Sequence, residues 1–183
     1  MPITLANPTP LGLVTFGLST ILLSLSNAGL VVAGSPIMAQ GLFVGGLAQM
    51  LAGIMEFVKG NTFGCVVFTS FGGFWMAVTA ITFLPVLGWA EAATPSIMGS
   101  FMFIWAIYVF LLLIGIFKGG RVLSLIVTTL LIVLVLLAIG SWTGSAIVNK
   151  IAGYLGLICG GSALYLGCAI TLEETNQKKV LPF

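Results

Sequence analysis

The chain contains no histidine and no aspartate. A histidine-based triad, an imidazole metal site and an aspartate-based phosphoryl or proton-transfer site are therefore excluded. The only carboxylate side chains are Glu56, Glu91, Glu173 and Glu174. Charge of either sign is scarce, with six basic and four acidic residues among 183. That 5 % compares with the roughly 25 % usual in soluble domains. A net charge of +2 is too small for a nucleic-acid interface, which needs a basic patch. The three cysteines, Cys65, Cys159 and Cys168, sit in apolar stretches without metal spacing or a disulfide framework. They read as small packing residues.

What is present is apolar. AVILMFWYC residues make up 60 % of the chain, more than a soluble fold of this size can hide behind polar groups. The composition indicates an integral membrane protein. Six apolar runs stand at roughly 11–33, 37–58, 63–87, 96–117, 122–142 and 147–170, followed by a polar tail at 171–183. Each run approaches or exceeds the ~20 residues needed to cross a hydrocarbon core. Breaks such as Gly34-Ser35-Pro36, Thr94-Pro95-Ser96 and Lys118-Gly119-Gly120-Arg121 separate them. The run from Leu130 to Leu137 does not alternate, which excludes a β-barrel strand. The expected fold is an all-α integral membrane domain of six transmembrane helices. The start of the chain lacks a basic n-region, so the first run reads as a span rather than a signal peptide.

Five of the six cations, Lys59, Lys118, Arg121, Lys178 and Lys179, fall on the side shared by both termini, and Lys150 on the other. The positive-inside rule puts both termini in the cytoplasm. Lys59-Gly60 and Lys118-Gly119 each close an even-numbered span. Three helical hairpins around a central pore would produce that period, as would evenly spaced loops alone.

Polar and small residues mark candidate functional faces. Gly41, Gly45, Gln49, Ala52 and Glu56 share a face of the second span, and Gly153, Gly156, Gly160, Ala163 and Gly167 a face of the sixth. Small residues allow close helix packing in lipid, and also suit the wall of a narrow pore. Phe16, Thr20 and Asn27 share a face of the first span. The Asn7-Pro8-Thr9-Pro10 start reads as a capped helix or as a positive dipole end facing a vestibule. Glu56 stands three residues before Lys59, either as an interfacial ion pair or as a charge at a pore mouth. The aromatic stretch Phe68-Thr69-Ser70-Phe71-Gly72-Gly73-Phe74-Trp75 suits an apolar neck that gates by dewetting.

Taken together, Asn-Pro-x-Pro-Leu-Gly-Leu at 7–13, Gly-Asn-Thr-Phe-Gly at 60–64, Phe-Thr-Ser-Phe-Gly-Gly-Phe-Trp at 68–75 and Lys-Gly-Gly-Arg-Val-Leu at 118–123 resemble the acetate uptake transporter family, the bacterial succinate–acetate permeases. Gly-Leu-Ile-Cys-Gly-Gly-Ser-Ala at 156–163 extends the likeness over essentially the whole chain. The resemblance implies a pathway for acetate and related small carboxylates through each protomer, with succinate within that class. It implies a homo-oligomer, a hexameric ring like that of bacterial urea channels, in a bacterial or archaeal inner membrane. It implies a hydrophobic constriction at Phe16, Phe71 and Leu130, where family members often carry Tyr in place of Phe71. A pathway bordered by Asn7, Thr20, Asn27, Gln49, Thr69, Ser70 and Ala163 follows, with Glu56 at the pore mouth. No cofactor, metal, nucleic-acid partner or catalytic activity is expected. The alternatives are a pore for neutral solutes such as urea or ammonia, and a non-conducting structural membrane protein.

Overall fold

The computed structural model describes residues 5–116 and 120–183, and among them it is entirely helical. Six helices are long and apolar enough to cross a membrane: α1 Thr9–Asn27, α2 Ser35–Val58, α3 Thr62–Val86, α4 Pro95–Ile116, α5 Arg121–Thr143 and α6 Ala146–Asn176. Lys118 lies outside the described residues.

Local chemistry sets these boundaries. Asn61 caps α3 by accepting from Gly64 N at 3.1 Å, and Ser145 caps α6 through Val148 N at 3.4 Å. α1 stops at Asn27, short of the apolar run to 33, because Gly29 turns the chain at a left-handed φ of 75°. Leu30 to Ala33 are apolar but form an exposed connection. α6 runs to Asn176, one and a half turns beyond the expected 170, until Gln177 takes φ 56°. α2 has an unusual centre, since Gln40–Ala48 winds as a π-helix around Gly41, Gly45 and Gly46.

Backbone contacts join α4 to α5, α5 to α6, α6 to α1, α1 to α2 and α2 to α3. At the α6–α1 seam glycines of one helix meet backbone and side chains of the other. A Cβ on Gly17 would stand 2.7 Å from Gly160 O, and one on Gly160 would stand 2.9 Å from Gly17 O and Ile21 N. Gly156 meets Ser24, and Gly167 meets the carbonyl of Pro10. Lipid gives no hydrophobic drive between helices, so such close approach supplies the association energy through van der Waals contact. α2 packs on α3 in the same way, with Gly72 against Met50 and Gly53 against Thr69. Both small-residue faces foreseen from the sequence are buried.

The α3–α4 side is joined by aromatic rings. Phe74 lies 4.8 Å from Trp105 and 5.8 Å from Phe101, and Phe71 lies 5.4 Å from Trp105. Asn7 Nδ2 donates to Glu174 Oε1 at 2.7 Å, so the chain start and the end of α6 meet at one end of the bundle. That end carries Lys59, Arg121, Lys178 and Lys179. Lys150 belongs to the opposite end.

Candidate functional site

A cavity of about 930 Å³ occupies the half of the bundle nearest the termini. Its lining runs from Asn61, Arg121, Lys179 and Phe183 at that end to Phe16, Gln49, Phe71 and Leu130 at mid-bundle. From Arg121 to Leu130 α5 rises about 14 Å, close to half a hydrocarbon core. Between mouth and floor the wall is mostly apolar, with Leu13, Phe63, Phe68, Val109 and Ile126 among its residues.

Phe16 on α1, Phe71 on α3 and Leu130 on α5 all line this vestibule. The rings of Phe16 and Phe71 meet edge to face at 5.8 Å. Phe71 is only 2 % exposed and is held by Phe74, Trp105 and Tyr108. A ring packed on three sides cannot swing aside without repacking, so Phe71 is held stiffly on α3.

Buried polar groups near mid-bundle lack partners. Gln49 lines the vestibule, is 1 % exposed, and its Oε1 has no hydrogen-bond partner. Thr20 stands one turn beyond Phe16, and Trp75 one turn beyond Phe71. Thr20 Oγ1 and Trp75 Nε1 are also buried without partners. Leaving a buried polar group unsatisfied costs about 1–3 kcal/mol. A permeating solute or water that bonds these groups in transit would offset that cost.

Glu56 is placed differently from its sequence reading. It is fully buried rather than at the pore mouth. Thr9 Oγ1 donates to Glu56 Oε1 and Asn61 Nδ2 to Oε2, the latter at 2.8 Å. Lys59 Nζ donates to Asn7 Oδ1 at 3.2 Å. Thr9 and Asn61 line the vestibule, so Glu56 is set behind its wall. The carboxylate stands between the starts of α1 and α3, where it faces two positive helix ends. The dipole end that the Asn7-Pro8-Thr9 motif was expected to aim at the vestibule is thus turned to the chain's own carboxylate.

The remaining expected pathway residues do other work. Asn7 is a rim tie between Glu174 and Lys59. Asn27 lies at the far end of α1, away from the cavity. Thr69 Oγ1 is buried against Gly53 in the α2–α3 contact. Ser70 bonds Val67 O and shares a hydrogen bond of 2.8 Å with Tyr108, linking α3 to α4. Ala163 is fully buried in the α6 wall, in the same core cluster as Cys159 and Leu166. Thr9, Asn61, Trp75, Arg121 and Lys179 were missed as site residues. Thr9, Asn61, Trp75 and Arg121 each lay within a motif singled out from the sequence, whereas Lys179 carried no signal beyond its charge.

Comparison with known proteins supplies the context for this geometry. Residues 1–182 match the GPR1/FUN34/yaaH family. The succinate-acetate/proton symporter SatP of Escherichia coli K12 is 44 % identical over 97 % of this chain and 95 % of its own length. Acetate permease A of Emericella nidulans is 30 % identical over 97 % of the chain and 65 % of its own length. A solved structure of the bacterial acetate channel SatP superposes with a TM-score of 0.96 at 43 % identity, covering 98 % of this chain and 99 % of that one.

Proposed function

The chain belongs to the GPR1/FUN34/yaaH family, and from that premise we propose that it is a membrane passage for acetate and related small carboxylates, succinate among them. The observation that supports this reading is the apolar vestibule lined by Phe16, Phe71 and Leu130, with the unpartnered Gln49 Oε1 among its lining. A carboxylate enters the apolar vestibule, sheds water at the neck and is met beyond it by donors. Stripping water from an ionised carboxylate costs several kcal/mol even in a real protein interior. A hydrogen bond to a charged group returns about 1.5–3 kcal/mol, so Thr20 Oγ1 and Trp75 Nε1 together offset roughly 3–6 kcal/mol. The neck sets the barrier, and the donors keep it passable.

The relatives named above are a symporter, a permease and a channel, and no catalytic activity is proposed. The protein resides in a bacterial or archaeal inner membrane. Both termini are cytoplasmic, which the concentration of cations at their end of the bundle supports. It assembles as a homo-oligomer, a hexamer by resemblance to its family. Large exposed side chains such as Phe43, Phe57, Ile104 and Ile147 then face lipid or neighbouring copies.

The test is uptake of radiolabelled acetate into proteoliposomes, with and without a pH gradient. Uptake above that of protein-free vesicles is expected. A purified, correctly assembled protein that passes no acetate under either condition overturns the reading.

A further inference from the structure

Two helix starts border the vestibule, and at each a side chain, Thr9 or Asn61, donates to Glu56. The Thr9 hydroxyl and the Asn61 side-chain amide, two neutral donors at this end, are thereby committed to Glu56. Among the described residues lining the cavity, Arg121 and Lys179 carry the only charged side chains, and both are cations. Arg121 opens α5, where the preceding Gly120 holds a φ of 99°. Lys179 arrives from elsewhere in the chain. After α6 ends, residues 177–183 fold back along it. Tyr165 Oη, three turns below the helix end, donates to Pro182 O at 2.6 Å. Lys179 Nζ stands 5.5 Å from the centre of the Phe183 ring, within cation–π range. Lys179, Pro182 and Phe183 thereby become part of the vestibule wall.

We propose that Arg121 and Lys179 form a carboxylate-capture site at the vestibule mouth, with one cation fixed on α5 and the other delivered by the folded-back C-terminal segment. The proposal rests on the carboxylate reading above and names what draws the anion in. Charges of one sign on a low-dielectric funnel focus their field into it and raise the local concentration of the opposite ion. Arg121 also offers a planar fork suited to a carboxylate. The acidic side chains near this end do not oppose the pair from the wall: Glu56 lies behind it, Glu174 is bonded to Asn7, and Glu173 and Glu174 are both outside the lining. A neutral solute would gain nothing from this arrangement.

Two measurements on the full-length protein test it. One is acetate uptake into proteoliposomes as a function of acetate concentration and ionic strength. The other is binding of benzenetricarboxylate, too wide for the neck, to the purified protein, followed by thermal shift. In Arg121→Gln/Lys179→Gln, KM for acetate should rise about three- to tenfold and the salt dependence of uptake should flatten. Binding of the tricarboxylate should weaken by about tenfold or more. Arg121→Lys/Lys179→Arg should retain most of both properties, and Lys150→Gln, at the opposite end, should leave both unchanged. Tyr165→Phe frees the segment while keeping its charge and should weaken both in the same direction but less. An active double variant with unchanged KM and unchanged tricarboxylate binding overturns the capture site. So does an equal loss in the charge-conserving pair, which would mark a purely structural role. A protein that binds the tricarboxylate through these two residues yet passes no acetate would uphold the capture site and sink the transport reading.

Discussion

Gly160 and Gly161 are chain neighbours with opposite surroundings, and alanine at each position separates packing from helix propensity. A methyl on Gly160 would stand 2.9 Å from the carbonyl of Gly17 and from the backbone nitrogen of Ile21, where ordinary contact begins near 3.4 Å. Backbone cannot rotate out of the way as a side chain can, so α1 and α6 must separate. Overpacking of this kind costs about 1–3 kcal/mol. A methyl on Gly161 meets nothing within 4 Å. Alanine there gains up to about 1 kcal/mol of helix preference over glycine. The same gain applies to Gly160→Ala and cancels in the comparison. For a chain of this size each kcal/mol moves the melting temperature by roughly 2–4 °C, so Gly160→Ala should melt roughly 2–12 °C below Gly161→Ala. Thermal unfolding of both variants in nanodiscs, read by near-UV circular dichroism, measures the difference. Equal melting temperatures would refute the claim that the α1–α6 seam is held by backbone contact at glycine.

Three further outcomes are expected. Phe16→Ala or Leu130→Ala should widen the neck and raise acetate flux or admit lactate, by about tenfold if each ~1.4 kcal/mol of barrier is lost. Uptake at matched membrane abundance checks this, and unchanged flux and selectivity in both variants would remove the gate from these residues. Glu56→Ala leaves Thr9 Oγ1 and Asn61 Nδ2 without their acceptor and should cost about 1–3 kcal/mol, whereas Glu56→Gln keeps one carbonyl acceptor and should cost less. Thermal unfolding orders the two, and the reverse order would contradict a structural bond at Glu56. A phosphatase fusion at Phe183, which needs export for activity, should be silent, and an active fusion would invert the orientation.

The six-helix plan was legible because membrane helices must close their own backbone hydrogen bonds, and long apolar runs announce that requirement residue by residue. The ends of those helices were less legible. Hydropathy counts Leu30 to Ala33 as membrane-like, yet the backbone has already turned at Gly29. At α6 the glutamates 173 and 174 read as a tail, although nothing in them ends a helix and the chain runs on to Asn176. Gly160 and its companions were readable as a packing face because their 3.6-residue spacing is a local property. The neck was not readable from periodicity. Phe16, Phe71 and Leu130 are separated by 55 and 59 residues, and only the family resemblance drew them together before the fold did. Trp75 was hidden among other aromatics, since an unpartnered indole N–H exists only in three dimensions.

Glu56 shows why polar residues in such a chain resist reading from sequence. A carboxylate near the end of an apolar run suggests a wet pore mouth, because an isolated buried charge in lipid is costly. The cost is met here by partners that arrive from distant parts of the chain: Thr9 from the start of α1 and Asn61 from the cap of α3. Those partners are the groups that could otherwise have greeted a carboxylate at two helix starts. Once they are committed to Glu56, attraction of a substrate anion must come from whatever charge the vestibule retains, and that charge is Arg121 and Lys179. On the proposed pathway the work divides by depth. Full charges act at the mouth, where water screens them and release is easy. Neutral dipoles such as Thr20 and Trp75 act past the neck, where a buried cation would bind a dehydrated carboxylate too tightly to let it go.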